Sequence, residues 1–499
     1  MSAPQLSAAR IIWRARRVRT GGDKAYALYA FLLVTVIVIA PIVRALWLIA
    51  SSQAGLVILT STDASTAVSL IAAALWTGAL LAGHKRGPAL LPPFLLHALT
   101  GSNIRRALTL RQPVIRSATI IITACAAGAA LVGMALLGDG HAYLWDVIVF
   151  AIAAGAAGVV TAVLWLLGQV FPRAAFPIAL TVLILAGMSL PIPEMLTFTP
   201  WGWAGATYPL TGSGVFPSAG MAVLAGASIV MTPVLLNWLT GMQLSTQAAQ
   251  WERATAFSFS FDFRAATSVY EAEPQLGRNI RAINTSTHRW VTFFLRDAVG
   301  QARTPGRLLG AVTATAAAGA LITLSLLPGT PAVLLAGAAG IVLYSATGPF
   351  TKGLQHAAYV AGDYPLYGIS DRHLVLLHSF FPLTVTLTVL SVAASATALV
   401  AGTDLGLPLA GAIAIGVLAL ALRLGNALKG PLPPSLLTPV NTPAGDLSIV
   451  MQIGWALSDP LIALLGALTV TMLPITPLPL VMLAAWAGGL VLARWKKRR

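Results

Sequence analysis

Ionisable side chains that could do chemistry at membrane depth are scarce in this chain of 499 residues. Asp459, in ALSDPL, and Asp146 are the only acids expected at that depth, and Arg44, in APIVRALWLIA, is an isolated base toward the outer end of the first long apolar segment. A charge buried in a membrane is costly, so each is a functional candidate. Arg44 has a simpler interpretation, because Pro41 could end the helix and leave the side chain to reach the outer interface.

Motifs that carry catalysis are missing from the sequence. It has no GxxxxGK[ST] phosphate loop, no HExxH, no GxSxG and no Cys or His cluster with metal-ligand spacing. We therefore predict that the chain is not an enzyme, cannot hydrolyse ATP by itself, and holds no cofactor or metal. Among the seven histidines, His356, His373 and His378 lie nearest each other and are interpreted as polar residues of the inner surface. The single cysteine, Cys125, is interpreted as a packing residue.

Long apolar segments dominate the chain. Hydrophobic residues make up 57% of it and charged residues 9%, whereas about a quarter of the residues of a soluble domain are charged. Segments of about 18 or more apolar residues are typical of membrane helices. Twelve such segments, named spans 1 to 12, are predicted at 26–50, 64–83, 115–137, 144–168, 175–191, 218–240, 307–327, 330–347, 375–401, 406–424, 453–473 and 476–494. The predicted fold class is an all-α polytopic protein of the cell membrane.

The positive charges predict a topology. Of the 31 Lys and Arg, all but Arg44 fall on one side of the membrane when the twelve spans alternate in direction. Cytoplasmic loops are enriched in these residues, so both termini are predicted to be cytoplasmic. The net charge of +16 is concentrated at helix ends. This pattern suits anionic lipid head groups and argues against nucleic acid as a partner.

Landmarks recur in the same order in the two halves, which indicates a 6+6 pseudo-repeat. A basic turn precedes spans 1 and 7 (19–22 and 303–306), and a Gly-Pro pair follows spans 2 and 8 (87–88 and 348–349). Arginine and then a proline at the next span follow each pair. Repeated halves are common in transporters, and coincidence among abundant Gly, Pro and Arg is the alternative. The predicted parts are 1–240 with spans 1–6, a cytoplasmic helical segment at 241–306, and 307–499 with spans 7–12.

Two cytoplasmic segments are long enough to meet another protein. In 87–113 we predict a short interfacial helix that starts at the prolines 92–93 and lays its apolar face on the inner leaflet. It is either a lipid-anchoring elbow or a coupling helix. In 241–306 we predict a helix from Gln243 to Tyr270 and a second stretch from Trp290 to Asp297. Mixed charge on such helices suits a protein contact, and a solvated extension of span 6 is the alternative.

Four stretches carry a family resemblance. They are RARRVRTGGDKAYALYAFLLV at 14–34, RGPALLPPFLLHALTGSNIRRALTLRQP at 86–113, QLSTQAAQWERATAFSFSFDFRAATSVYEAEPQLGR at 243–278 and RDAVGQARTPGRL at 296–308. In these stretches the chain resembles the large permease subunits of actinobacterial ATP-binding-cassette exporters, of the ABC-2-like kind. The resemblance implies a separate ATPase subunit, which binds ATP and Mg and docks on the cytoplasmic loops, and export of an amphipathic or apolar substrate. Familiar permeases of this kind have half as many spans, so either this chain supplies both halves of the pathway or two copies form a homodimer.

The resemblance and the repeat together place the coupling residues at the two Gly-Pro landmarks and in the basic turns near them. These candidates are Gly87, Pro88, Arg105, Arg106, Arg111, Pro113, Arg303, Pro305, Arg307, Gly348, Pro349, Asp371, Arg372, Gly430 and Pro431.

Two other function classes remain open. An ion-coupled secondary transporter usually needs buried acids that change charge, and these are scarce here. A polyprenyl-phosphate-dependent glycosyltransferase of the membrane typically has an acid in its first outer loop, where Asp63 lies. Such an enzyme must also hold its donor phosphate, and the outer face has no base beyond Arg44 to do so.

Overall fold

The computed structural model describes residues 21–100, 104–189, 192, 194–212, 215–260, 262–271, 277, 288–330, 332–361, 368–430, 432–438, 441–442 and 445–498. These residues are mostly helical, apart from loops and a two-residue antiparallel ladder between Asn441–Thr442 (β1) and Gly445–Asp446 (β2). Eleven of the described helices are long and apolar enough to cross a membrane. The chain is therefore an all-α, multi-pass membrane protein.

Each predicted span corresponds to one helix, except span 1, which consists of three consecutive helical pieces. In chain order the spans are Gly21–Val34 with Thr35–Ile39 and Ala40–Ala50; Ala64–Lys85; Arg111–Gly138; Leu144–Val170; Pro172–Met188; Val215–Trp238; Pro305–Ser325; Ala332–Phe350; Asp371–Val400; Gly406–Leu428; Ser448–Val470; and Leu478–Arg498. Span 5 has 17 residues and is shorter than the other eleven. The count of twelve crossings and the cytoplasmic termini stay predictions.

Further helices occupy the connections between spans. They are Gln53–Leu59, Pro93–Thr100, Arg106–Thr109, Met195–Phe198, Pro200–Ala206, Gly241–Phe259, Phe263–Ser268, Arg289–Ala302 and Lys352–Tyr359, with 3-10 turns at Pro209–Thr211 and Pro434–Leu436.

The chain divides into two compact units, Met1–Ala254 and Thr255–Arg499. In the first unit, span 4 packs against spans 2, 3, 5 and 6, span 2 contacts span 5, and span 1 contacts span 3. In the second, span 10 packs against spans 8, 9, 11 and 12, span 8 contacts span 11, and span 7 contacts span 9. These helix pairs recur at equivalent positions of the two units, as a 6+6 repeat predicts. The extensive contact between spans 7 and 8 has no comparable counterpart between the described parts of spans 1 and 2.

Small residues allow neighbouring helices to approach closely. A Cβ added to Gly83 of span 2 would lie 2.8 Å from the Gln169 nitrogen of span 4, and one added to Gly168 would lie 2.9 Å from the Leu80 carbonyl carbon. Close backbone contact through glycine is a common device where helices pack in a membrane. The second unit has its core where spans 7 to 12 meet around the fully buried Leu390.

Span 1 has no buried residue in its apolar window. Pro41 does not end this helix, so the interpretation that it could do so is wrong. Thr35–Ile39 forms a π-helical turn in which the Ala40 amide donates to a carbonyl five residues back. This wider turn accommodates Pro41, which has no N–H to donate and would disrupt a regular ladder. Arg44 is exposed on the helix that continues beyond it.

The segment 241–306 differs from the predicted helix pattern. The expected helix from Gln243 to Tyr270 breaks before Asp262, whose carboxylate accepts a hydrogen bond from the Ala265 amide at 2.9 Å and so starts a new helix. The second stretch extends further than predicted, from Arg289 to Ala302.

The connection between spans 5 and 6 folds onto the first unit. Trp201 is buried and meets Trp76 edge to face, with 6.5 Å between ring centroids. Tyr208 donates its hydroxyl hydrogen to the Leu59 carbonyl at 2.7 Å, and burial raises the pKa of Tyr208 to about 12. This connection is therefore a packed aromatic cap.

Candidate functional site

The Gly-Pro pair after span 2 lies in an extended connection, residues 86–89, that we call the first elbow. Span 2 ends with the Arg86 amide donating to the Ala82 carbonyl at 2.8 Å, so the Gly87 and Ala89 amides that follow have no helical partner. Two glutamines replace that partner: Gln247 Oε1 accepts from the Gly87 amide at 3.4 Å, and Gln169 Oε1 accepts from the Ala89 amide at 3.1 Å. Because a buried amide without a partner costs free energy, these bonds stabilise the elbow in this conformation.

The two glutamines also bind each other. Gln169 Nε2 in span 4 donates to Gln247 Oε1 at 2.9 Å, and Gln247 Nε2 donates to the Gly83 and His84 carbonyls at 3.4 and 3.5 Å. Both side chains are buried, and a Cβ added to Gly87 would overlap the side chain of Gln169. Neutral amides thus join the ends of spans 2 and 4 to the helix that follows span 6.

The stretch beyond the first elbow packs on the protein. Its helix Pro93–Thr100 begins at the predicted prolines. Leu96 is 2% exposed and lies in a core cluster with residues of spans 4 and 6, whereas Phe94 is exposed. The prediction of an apolar face laid on lipid is therefore wrong for Leu96, because spans 4 and 6 offer it a protein surface.

The basic residues of this stretch remain accessible. Arg105 and Arg111 are exposed, and Arg106 is half-buried. Pro113 lies in the first turn of span 3, where a proline is tolerated. Arg86 of the elbow lies over the Trp251 ring, 4.8 Å from its centroid.

The second elbow, residues 348–353, is built differently. The helix of span 8 continues through the Gly-Pro pair, so this pair does not open an extended connection. Pro349 has no N–H to donate to the Ser345 carbonyl one turn back. Arg423 of span 10 donates to that carbonyl from Nη2 at 3.3 Å, and to the Tyr344 carbonyl from Nε at 2.9 Å. An arginine from another span therefore satisfies the carbonyl that the proline leaves free.

A buried acid and a buried histidine meet at the second elbow. Nδ1 of His378, in span 9, lies 2.8 Å from Oδ2 of Asp297, on the helix before span 7. A Cβ at Gly353 would overlap both side chains. Gln301, one turn after Asp297, donates to the Pro349 carbonyl at 2.6 Å. The predicted inner-surface role of His378 is wrong, because the residue is fully buried with Asp297 as the polar partner that burial requires.

Aromatic rings pack the helix before span 7 onto span 9. Phe293 meets the His378 ring edge to face at 4.9 Å, and Phe294 meets Phe381 at 5.4 Å. Rings in this arrangement add stability beyond the area that they bury. The second elbow thus joins spans 8 and 9 to the helix Arg289–Ala302.

The basic turn before span 7 is part of an ion-pair network. Glu271 pairs with Arg307 at 3.5 Å and also with Lys352, a residue of the second elbow at which the helix Lys352–Tyr359 begins. Arg303 is half-buried, and Pro305 is exposed at the start of span 7.

The remaining coupling candidates lie at helix ends of the second unit. Asp371 is half-buried and Arg372 exposed in the first turn of span 9. Gly430 follows span 10 with a φ of 75°, a left-handed conformation that favours glycine. Pro431 lies outside the described residues.

The two acids expected at membrane depth have different surroundings. Asp146 Oδ2 accepts from the Tyr143 amide at 3.3 Å and caps the start of span 4. Asp459 is fully buried in span 11 and pairs with Lys429 and Arg494. Asp146 is therefore a capping residue, whereas Asp459 belongs to a buried ionic cluster.

Several side chains that hold the elbows were not predicted. Gln169 was detectable as a lone amide in the apolar sequence LLGQVF. Asp297 and His378 are 81 residues apart, and no spacing rule connects them. Gln247 and Gln301 look like ordinary surface residues of cytoplasmic helices.

No family model, curated protein or solved structure matches this chain. Its function is therefore inferred from the fold and from the two elbows.

Proposed function

We propose that this chain is the membrane subunit of an ATP-binding-cassette exporter of the plasma membrane. A separate ATPase subunit hydrolyses ATP, and this chain converts that step into export of an amphipathic or apolar substrate. The observation that carries the proposal is the pair of elbows. In each unit, buried polar side chains tie the connection after the second helix to another span and to a helix outside the spans.

An elbow that is tied to several helices suits the transmission of force from a partner. A partner that pushes on an elbow displaces several spans together, because packed helices respond as bodies rather than bending freely. The accessible Arg105, Arg111 and Arg372 provide positive charge beside the two elbows. Charge complementarity at a docking face steers the partner and fixes its register.

The first test is association. The full-length chain is coexpressed with a candidate ATPase subunit, a Walker-motif protein sought among the products of the neighbouring genes, and copurification in detergent is measured. We expect the wild type to retain this protein and the variant R105E/R106E/R372E to lose it. The control variant K496E/K497E reverses two exposed charges in the last turns of span 12 and keeps it.

The second test is coupling. Membrane vesicles carrying both proteins are loaded with an amphipathic fluorescent dye, and ATP-dependent transport is followed. Because the ATPase should no longer dock on the triple variant, that variant should show no ATP-dependent dye transport, although the ATPase by itself still hydrolyses ATP. Transport at the wild-type rate in that variant would count against coupling through the elbows.

A secondary transporter is the alternative that one observation favours. The buried Asp297–His378 pair is a type of group that can carry a proton through a membrane protein. A carrier of this class transports in vesicles that have a proton gradient and no ATP, and a protonophore abolishes that transport. An exporter driven by ATP transports only when ATP is present, and a protonophore does not abolish that transport.

A further inference from the structure

Buried positive charge exceeds buried negative charge where spans 10, 11 and 12 meet. Asp459 Oδ1 accepts from Arg494 Nη1 at 2.8 Å, and its Oδ2 accepts from Asn426 Nδ2 at 3.1 Å and from Lys429 Nζ at 3.2 Å. The Asp459 side chain is 0% exposed, that of Lys429 7% and that of Arg494 17%. One carboxylate therefore has two cations as partners.

A third cation lies one to two turns before Lys429 on the same helix. The Arg423 guanidinium lies over the Tyr344 ring, 4.0 Å from its centroid, and donates to backbone carbonyls of span 8. These partners are neutral, so they satisfy its hydrogen bonds without cancelling its charge. Lys429, Arg494 and Arg423 carry three positive charges, and Asp459 is the only acid paired with any of them among the described residues.

An excess of two positive charges in this position calls for an anion. Buried charge without a counter-charge is costly. Arg494 uses one of its five N–H groups on Asp459, and the partial exposure of its side chain leaves it within reach of a ligand. The remaining N–H groups of Arg494 suit a phosphate, which has several acceptor oxygens. Lys429 contributes positive charge only, because its ammonium already donates to the Trp455 carbonyl, to Ser458 Oγ at 2.8 Å and to Asp459 Oδ2.

The surroundings favour the phosphate of a lipid over a free ion. The cations lie near the ends of spans 10 and 12 that the charge pattern places on the cytoplasmic side. Lys429 lies 4.4 Å from the centroid of the Trp455 ring, and tryptophan is enriched at membrane interfaces. Apolar side chains exposed on spans 11 and 12, Leu457 and Leu492, offer contact for an acyl chain. Basic pockets between membrane helices on this side are known to bind lipid head groups.

We infer that the cluster of Arg423, Lys429 and Arg494 around Asp459 is a binding site for the phosphate head group of an anionic phospholipid of the inner leaflet. This assignment is independent of the proposed transport function. Bound lipid would screen the excess charge and link spans 8, 10, 11 and 12.

The test uses the full-length protein in mixed micelles with equal amounts of phosphatidylglycerol and phosphatidylcholine, and native mass spectrometry counts the lipids retained. We expect the wild type to prefer phosphatidylglycerol. R494Q and R423Q should each reduce that preference about fivefold, from ~1 kcal/mol for each basic residue near the head group. R494K keeps the charge and should keep the preference.

Two further variants separate lipid binding from structure and from general charge. D459N removes the acid that pairs with Lys429 and Arg494 and should raise the preference for phosphatidylglycerol, whereas a purely structural ion pair would only lower the melting temperature. K496Q/K497Q removes two exposed cations at the end of span 12 and should leave the preference unchanged.

Three results would overturn the inference. They are equal retention of both lipids by the wild type, an unchanged preference in R494Q and R423Q, and displacement of phosphatidylglycerol by millimolar inorganic phosphate, which would identify a site for a free anion. Melting temperatures of all variants are measured in the same micelles. If a glutamine variant does not fold, K429M is examined in its place.

Discussion

The two elbows follow the second helix of their units, but they are held by different chemistry. Gln169 and Gln247 bind the extended backbone of the first elbow, whereas Asp297, His378 and Gln301 hold a second elbow that remains helical. The amides of the first elbow are neutral, whereas an acid and a histidine form a polar pair of a different chemical type at the second. The comparison teaches that connections at matching positions of the two units can be held by different groups.

The largest effect should come from breaking the charged elbow. Asp297→Ala leaves His378 buried without its partner and should lower the free energy of unfolding by about 3–5 kcal/mol. Unfolding in mixed micelles measures this. Asp63→Ala removes an exposed carboxylate that makes no capping bond, and its effect should stay within about 0.5 kcal/mol. A loss below 1 kcal/mol in Asp297→Ala would mean that the pair does not hold the elbow.

Glycine substitutions compare the two elbows by steric overlap. Gly353→Ala and Gly87→Ala each place a methyl group on a buried polar side chain and should cost about 2–3 kcal/mol in the same measurement. Gly128→Ala is the control, because no atom lies within 4 Å of its added Cβ. If both elbow variants have the same free energy of unfolding as the control, the two glycines have more space around them than this packing gives.

A smaller effect is expected where the neutral elbow loses one amide. Gln247→Leu leaves the Gly87 amide without its acceptor and should cost about 1–2 kcal/mol, which is less than Asp297→Ala. Gln53→Leu replaces an exposed glutamine and serves as the reference. Equal losses from Gln247→Leu and Asp297→Ala would remove the energetic difference between the elbows.

The smallest effect should be a pH dependence from a histidine on the helix that begins at the second elbow. Partial burial, then the charge of Arg296, lowers the pKa of His356, which lies on the helix Lys352–Tyr359. The unfolded chain therefore binds a proton first as the pH falls below about 6.5, so His356 destabilises the fold in that window and has no effect above it. His356→Gln should make the melting temperature slightly less sensitive to acid. The contribution is small because the side chain is exposed, and a variant that is more sensitive would contradict the sign.

The sequence predicted the helices better than the contacts between them. Hydropathy located the eleven helices that are long and apolar enough to cross a membrane, and the shorter Pro172–Met188, because the membrane imposes length and composition on each crossing. Local signals placed Pro93 at a helix start, and they gave the wrong outcome for Pro41, because a π-helical turn absorbed that proline. The elbows could be located from their Gly-Pro pairs. Their binding groups could not, because Gln247 lies 160 residues from Gly87 and is brought there only by tertiary packing.

Span 1 and its counterpart, span 7, have different means of remaining in the membrane. Span 1 has a mean hydropathy of 2.5 and no buried residue in its window, whereas span 7 has a mean hydropathy of 1.7 with 39% of its window buried. A strongly apolar helix enters lipid by itself, and a weaker one depends more on its neighbours. During synthesis, span 1 can therefore pass into the lipid by itself, before the other spans are made, and fix the orientation of the chain. Span 7 is expected to wait for spans 8 and 9 before it is stably inserted.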